Sequence, residues 1–230
     1  MGIELQVELL GPVAARTAGR ELPLGSRMPR TLLAALAADA GRPVQVESLV
    51  ERLWGERSPE RPRHALHVYV GRVRAALGDA AVVRRSGGYL LDVSRLAVDV
   101  HLFRDLAAAG DLDAALDLPR GVPLEDLAGP WAERTRHAWE RLHADVAIAW
   151  ARREAAAGDP YRALGRLGDL CDRYPYAEPL SAALMVALAA TGRRAEALER
   201  FARTRRRLRD DLGTEPGSDL RTAHLTLLRT

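Results

Sequence analysis

Mainly α with a small β component is the fold class this sequence predicts, on two observations. The front of the chain offers a small sheet, three helices and a β-hairpin, in that order. The back offers a recurring turn: Ala107-Ala-Ala-Gly-Asp111, Ala155-Ala-Ala-Gly-Asp159 and Ala189-Ala-Thr-Gly-Arg193. From the second copy to the third is 34 residues, the tetratricopeptide (TPR) period. The first order is that of an N-terminal winged helix-turn-helix, expected over residues 1–97. The second predicts an all-α domain of TPR-like helical repeats over 98–230.

Each element has a local cause. Ile3, Leu5, Val7 and Leu9 alternate with Glu4, Gln6 and Glu8, the period of a half-buried strand, which Gly11-Pro12 breaks. Val13–Ala15 and Glu21–Leu24 read as further short strands around a turn at Gly19. A first helix is predicted over Arg30–Ala40, with Leu32, Leu33, Leu36 and Ala40 inward and Gly41 closing it. Val46–Trp54 follows Pro43 as a second, burying Leu49, Val50, Leu53 and Trp54. The third helix opens at Pro62, whose missing N–H has no intrahelical partner in a first turn. Leu66, Val70, Val73 and Leu77 share its buried face, and Gly78 stops it. Two short apolar runs joined by Ser86-Gly87-Gly88 then form the hairpin wing, with Arg84 and Arg85 at its tip.

The third helix offers Arg63, His64, His67, Gly71, Arg72 and Arg74 on its other side. Between Arg61 and Arg85 stand six Arg against one acid, Asp79, a local net charge of +5. A helix slim enough for the major groove, followed by a basic hairpin, is what reading duplex DNA requires. A basic helix standing alone is as often a solvated face, and the chain contains no Lys, so its preference for Arg reads as compositional bias rather than phosphate chemistry. The position of the helix, after two others and before a wing, favours DNA.

Composition narrows the rest. The 230 residues suffice for one large domain or two modest ones. No apolar run approaches the roughly 18 residues of a membrane span, and Met1–Leu10 lacks a basic leader, so a soluble, cytoplasmic protein is expected. A single cysteine, Cys171, excludes an internal disulfide and reads as a small apolar helix residue. Residues 1–97 carry 14 Arg and 10 acids, a net of +4, while 98–230 carry 20 Arg and 21 acids, a net of −1. That asymmetry suits a nucleic-acid module joined to a neutral helical one.

Within the repeats, Ala163, Leu167, Leu170 and Pro175 fall at TPR spacing, as do Ala197 and Phe201 in the next copy. Small residues at such intervals let paired helices approach and share one continuous core. Trp131, Trp139 and Trp150 read as core anchors.

Several motifs in order resemble a known family. Leu9-Leu-Gly-Pro12, Arg30-Thr-Leu-Leu-Ala-Ala-Leu36, Leu49-Val-Glu-Arg-Leu-Trp-Gly55, Val68-Tyr-Val-Gly-Arg-Val-Arg-Ala-Ala-Leu77 and Gly88-Tyr89-Leu90 resemble the OmpR-like DNA-binding domain of the SARP regulators, the Streptomyces antibiotic regulatory proteins. Val98-Asp-Val-His-Leu-Phe103, Glu178-Pro-Leu180, Gly192-Arg-Arg-Ala-Glu-Ala-Leu198 and Asp211-Leu-Gly-Thr-Glu-Pro-Gly217 resemble the bacterial transcriptional activation domain (BTAD) that follows it there. The resemblance implies an activator of a biosynthetic gene cluster that binds direct repeats in double-stranded promoter DNA as a side-by-side homodimer and recruits RNA polymerase. It places DNA contacts at His64, His67, Arg72 and Arg74 of the recognition helix and Arg85 of the wing; charge and location add Arg63 and Arg84. It also assigns the loop Gly55–Arg61, with Glu56, Arg57, Glu60 and Arg61, to the polymerase sigma subunit, although a plain solvated turn fits that composition equally. Between Phe103 and Pro123 the chain is shorter than the family pattern, which implies a cropped first helical hairpin and an altered dimer contact.

Enzyme chemistry finds no foothold. Without Lys there is no Walker, Schiff-base or Ser-Lys lysine, and no HExxH occurs. His64 and His67 lie three apart on one helix, but no acid or Cys joins them locally as a metal set would need. No metal or cofactor is expected. The competing reading is a protein-interaction adaptor whose repeats are the working surface and whose winged helix is a docking module. A basic recognition face argues against it.

Overall fold

The computed structural model describes residues 5–229, so Ile3 and Glu4 of the expected first strand lie outside the described residues. The chain forms two compact units, one ending at Glu140 and one beginning at Arg141.

The first unit opens on a three-stranded antiparallel sheet, β1 (Leu5–Glu8), β2 (Ala14–Thr17) and β3 (Arg20–Glu21), with Val7 opposite Ala15. The third strand is shorter than its apolar pattern suggests, because Pro23 follows within two residues. Helix α1 (Arg27–Ala37) begins three residues before the expected Arg30. Pro29 sits in its first turn, where a missing N–H is harmless, so it does not mark a boundary. Seven successive residues from Thr31 to Ala37 are buried, which makes α1 the central helix of the unit. Helix α2 (Val46–Trp54) buries Leu49 and Leu53, with Val50 and Trp54 half-buried, and α3 (Pro62–Leu77) buries Leu66, Val70 and Val73. Leu77, expected inside, is half-buried at the helix end.

The hairpin β5 (Val82–Arg85) and β6 (Gly88–Leu91) gains a third strand that the sequence did not announce, β4 (Val44–Gln45), in the order β4-β6-β5. Gly88 makes this possible: a Cβ there would stand 2.0 Å from the Val44 carbonyl oxygen. Ser86 and Gly87 both take positive φ, 43° and 80°, the two-residue turn that matches strand twist.

Residues beyond the wing continue the same unit. Helix α4 (Asp99–Ala109) and the single-turn α5 (Leu112–Leu116) form the short first hairpin that the sequence implies. Val98 bridges Val7 in parallel, and the Asp99 carboxylate accepts from the N–H groups of Leu9, Leu10 and Val100 at 2.7–2.9 Å. The Leu9 and Leu10 carbonyls in turn accept from Leu124 and Arg120 at 3.0 and 2.8 Å. Asp126 accepts from Val13 N–H and pairs with Arg30, each within 2.9 Å. Compactness therefore parts the chain at 140/141, whereas motif and composition part it at 97/98. Helix α6 (Pro130–Ala156) runs through that point.

The second unit holds the end of α6, α7 (Tyr161–Arg173), α8 (Glu178–Ala190), α9 (Arg194–Leu212) and α10 (Ser218–Arg229). Gly110, Gly158 and Gly192 close α4, α6 and α8 with φ of 84°, 86° and 77°, so each recurring motif is the turn of a helical hairpin. Ala163, Leu167, Leu170 and Ala197 are buried as the repeat spacing predicts, and Cys171 is buried in α7 as a small apolar helix residue; Phe201 is half-buried and stacks on His224, ring centroids 3.8 Å apart. Trp150 is buried in this unit, and Trp131 and Trp139 in the first. No helix among the described residues is long and apolar enough to cross a membrane.

Candidate nucleic-acid interface

With Leu66, Val70 and Val73 committed to the core, helical periodicity turns His64, His67, Val68, Gly71, Arg72 and Ala75 outward, and all six are exposed. Val68 is the only large apolar side chain on this stripe and is 42% exposed.

The candidate residues are not equally free. Among the described residues, Arg72, Arg84 and Arg85 have no carboxylate within ion-pair distance, unlike Arg193, Arg200, Arg203, Arg205 and Arg209 of the second unit. Arg72 lies over the Tyr69 ring at 5.6 Å, and Tyr69 leans on Trp54 at 6.2 Å between centroids, so α2 props the guanidinium. Arg84 and Arg85 end β5 opposite Tyr89 and Gly88, both exposed at the wing tip. Arg63 is exposed but pairs with Glu47 of α2 at 2.7 Å. Arg74 is half-buried, and its Nε donates to the Val82 carbonyl at 2.8 Å, fastening α3 to the wing. Its position expects DNA contact; its hydrogen bond also gives it a structural task.

Two side chains outside the expected set join this face. The Tyr89 hydroxyl meets His67 Nδ1 at 2.9 Å, their rings edge to face. Gln45 Nε2 donates to the Ser86 carbonyl at 3.1 Å, tying β4 to the wing turn. A Gly inside a strand pattern, Gly88, was the signal for a close backbone neighbour; nothing local signals the Tyr89 pairing.

The α2–α3 loop presents Glu56, Arg57, Glu60 and Arg61 to solvent, with Gly55 at φ 56°. It borders an open groove of about 1020 Å³, lined also by Met28, Trp54, Pro130 and Arg134. Arg134 closes one side through an ion pair to Glu51 at 3.0 Å.

Three helices, a wing paired to a third strand and an outward basic stripe define a winged-helix transcriptional regulator joined to helical repeats. Comparison with known proteins agrees along the whole chain. Residues 19–91 match the family described as transcriptional regulatory protein, C terminal, and 92–228 match the bacterial transcriptional activator domain. The chain is similar to the regulatory protein AfsR of Streptomyces griseus, 34% identical over 98% of this chain but 24% of AfsR. It is 33% identical to the regulatory protein DnrI of Streptomyces peucetius over 98% of this chain and 92% of DnrI. A solved structure of Mycobacterium tuberculosis EmbR with a low-affinity phosphopeptide superposes with a TM-score of 0.80 at 30% identity, covering 99% of this chain and 66% of that one. The chain thus spans about a quarter of AfsR and nearly all of DnrI. It belongs to the SARP family of transcriptional activators.

Proposed function

We propose that this protein activates transcription by binding direct repeats in the promoters of a biosynthetic gene cluster, two copies side by side, and recruiting RNA polymerase in the cytoplasm. The observation that carries the reading is the exposed stripe His64–His67–Gly71–Arg72, with unpaired Arg84 and Arg85 on the wing beside it. In a winged helix-turn-helix such a stripe enters the major groove, where Arg reads guanine O6 and N7 in bidentate fashion. The wing arginines meet phosphate, as does whatever Arg63 and Arg74 offer beyond their internal partners. Residues 1–97 supply recognition and 98–230 the activating surface. The exposed loop Gly55–Arg61 and its groove receive the sigma subunit, supported by alternating charge at Glu56, Arg57, Glu60 and Arg61.

A gel shift on promoter fragments against random duplex tests the reading and separates it from a protein-docking adaptor. Arg72→Ala is expected to weaken promoter binding by about 1–3 kcal/mol while random duplex binding changes little. Equal loss on both demotes Arg72 to a phosphate contact. An intact chain that shifts neither fragment at low salt refutes DNA binding.

A further inference from the structure

Tyr89 is 3% exposed, and its phenol reaches out of the core to one imidazole nitrogen of an exposed residue on the recognition helix. A neutral imidazole carries one donor and one acceptor, and the hydrogen bond made by one nitrogen decides which role the other plays. With Tyr89 3% exposed, its phenolic hydrogen calls for an acceptor within the protein. His67 Nδ1, 2.9 Å away, is the acceptor that the structure gives it. The reverse arrangement, Nδ1–H toward the phenol, leaves the buried O–H hydrogen without a partner. The edge-to-face contact, 6.0 Å between centroids at 81°, also holds the imidazole plane relative to the wing.

We propose that Tyr89 fixes His67 in the tautomer that bears its hydrogen on Nε2, making His67 a one-way donor to an acceptor in the major groove, the N7 of a purine. His67 is then a specificity-determining residue and Tyr89 its positioning residue. The pairing also links the two halves of the interface, since Tyr89 lies directly across from Arg84 in the wing. Pyrimidine amino groups, which need an acceptor, are disfavoured at that base pair. This rests on the DNA-binding reading above.

The test uses the full chain and the duplex that it selects from a random pool. Nitrogen NMR of the free protein should show His67 with Nδ1 bare and Nε2 protonated, and a mixture of tautomers in Tyr89→Phe, which keeps the ring and removes the hydroxyl. Tyr89→Phe should lower affinity for the selected duplex about tenfold and leave scrambled duplex and the salt dependence unchanged. Replacing one purine by its 7-deaza analogue should reproduce that loss and abolish the effect of Tyr89→Phe. His67→Gln, which keeps a donor without needing the phenol, should make binding insensitive to Tyr89→Phe. Nδ1–H in the wild type, or equal loss on both duplexes, overturns the proposal alone. A wild type with no preference for any duplex overturns the DNA reading, and the proposal with it.

Discussion

Gly71 is the position where stability and function should part most visibly. It lies in the interior of α3 on the exposed stripe, and a Cβ built there meets nothing within 4 Å among the described residues. Nothing inside the protein therefore requires glycine, yet glycine in a helix interior is about 0.8–1 kcal/mol less favourable than alanine. Under the DNA binding proposed above, the compensating reason is a close approach from outside, where the stripe meets the groove. Gly71→Ala should stabilise the unit that holds α3 by about 1 kcal/mol, raising its melting temperature by roughly 4 °C. On that same reading the added methyl falls between His67 and Arg72 on the face turned to the groove. Overpacking at such a contact costs about 1–3 kcal/mol, roughly a 5- to 150-fold loss of affinity. Thermal unfolding of the free protein and titration of a promoter duplex measure the two effects separately. A variant that is more stable and binds as tightly as wild type refutes the inference that Gly71 serves the interface.

Replacing Arg84 and Arg85 together by Ala should weaken binding to every sequence alike and flatten the salt dependence by about two phosphate contacts; a change in base preference would contradict the backbone assignment. Two buried groups should respond oppositely to acid. Burial raises the Asp99 carboxyl to about 6 despite three N–H donors, so its contribution is fully present below its ordinary value near 3.8 and lost as pH rises through 6. Against Asp99→Asn, the wild-type first unit should gain up to roughly 3 kcal/mol on going from pH 7 to 4, by urea unfolding. Burial first, then Arg173 and Arg166, pulls His143 down to about 4, so the second unit should lose a similar margin as pH falls from 6.5 to 4. His143→Phe should abolish that loss, and an unchanged slope would count against the buried imidazole.

What could be read from the chain alone followed from local chemistry. Pro62 and Gly78 bound α3 to the residue, and the glycine turns placed all three helical hairpins, because capping and periodicity act within a few positions. Two-residue β4 carries too short a pattern to register, and only the crowding at Gly88 betrays it. The candidate arginines were visible as charge, but their unequal freedom was not: Arg74 and Arg63 find partners 8 and 16 residues away, by geometry that no spacing rule encodes. The place of residues 98–140 was equally hidden, since Asp99 meets Leu9 across 90 positions.

The Asp99 clasp has a practical corollary for dissecting the protein. A fragment ending at Ala97 would strip three backbone N–H groups of their acceptor or delete them, and would uncover Leu9, which is fully buried. The smallest portion able to stand alone is thus longer than the recognition module that motif boundaries outline. Anything that tugs on α4 tugs on the amino-terminal sheet as well.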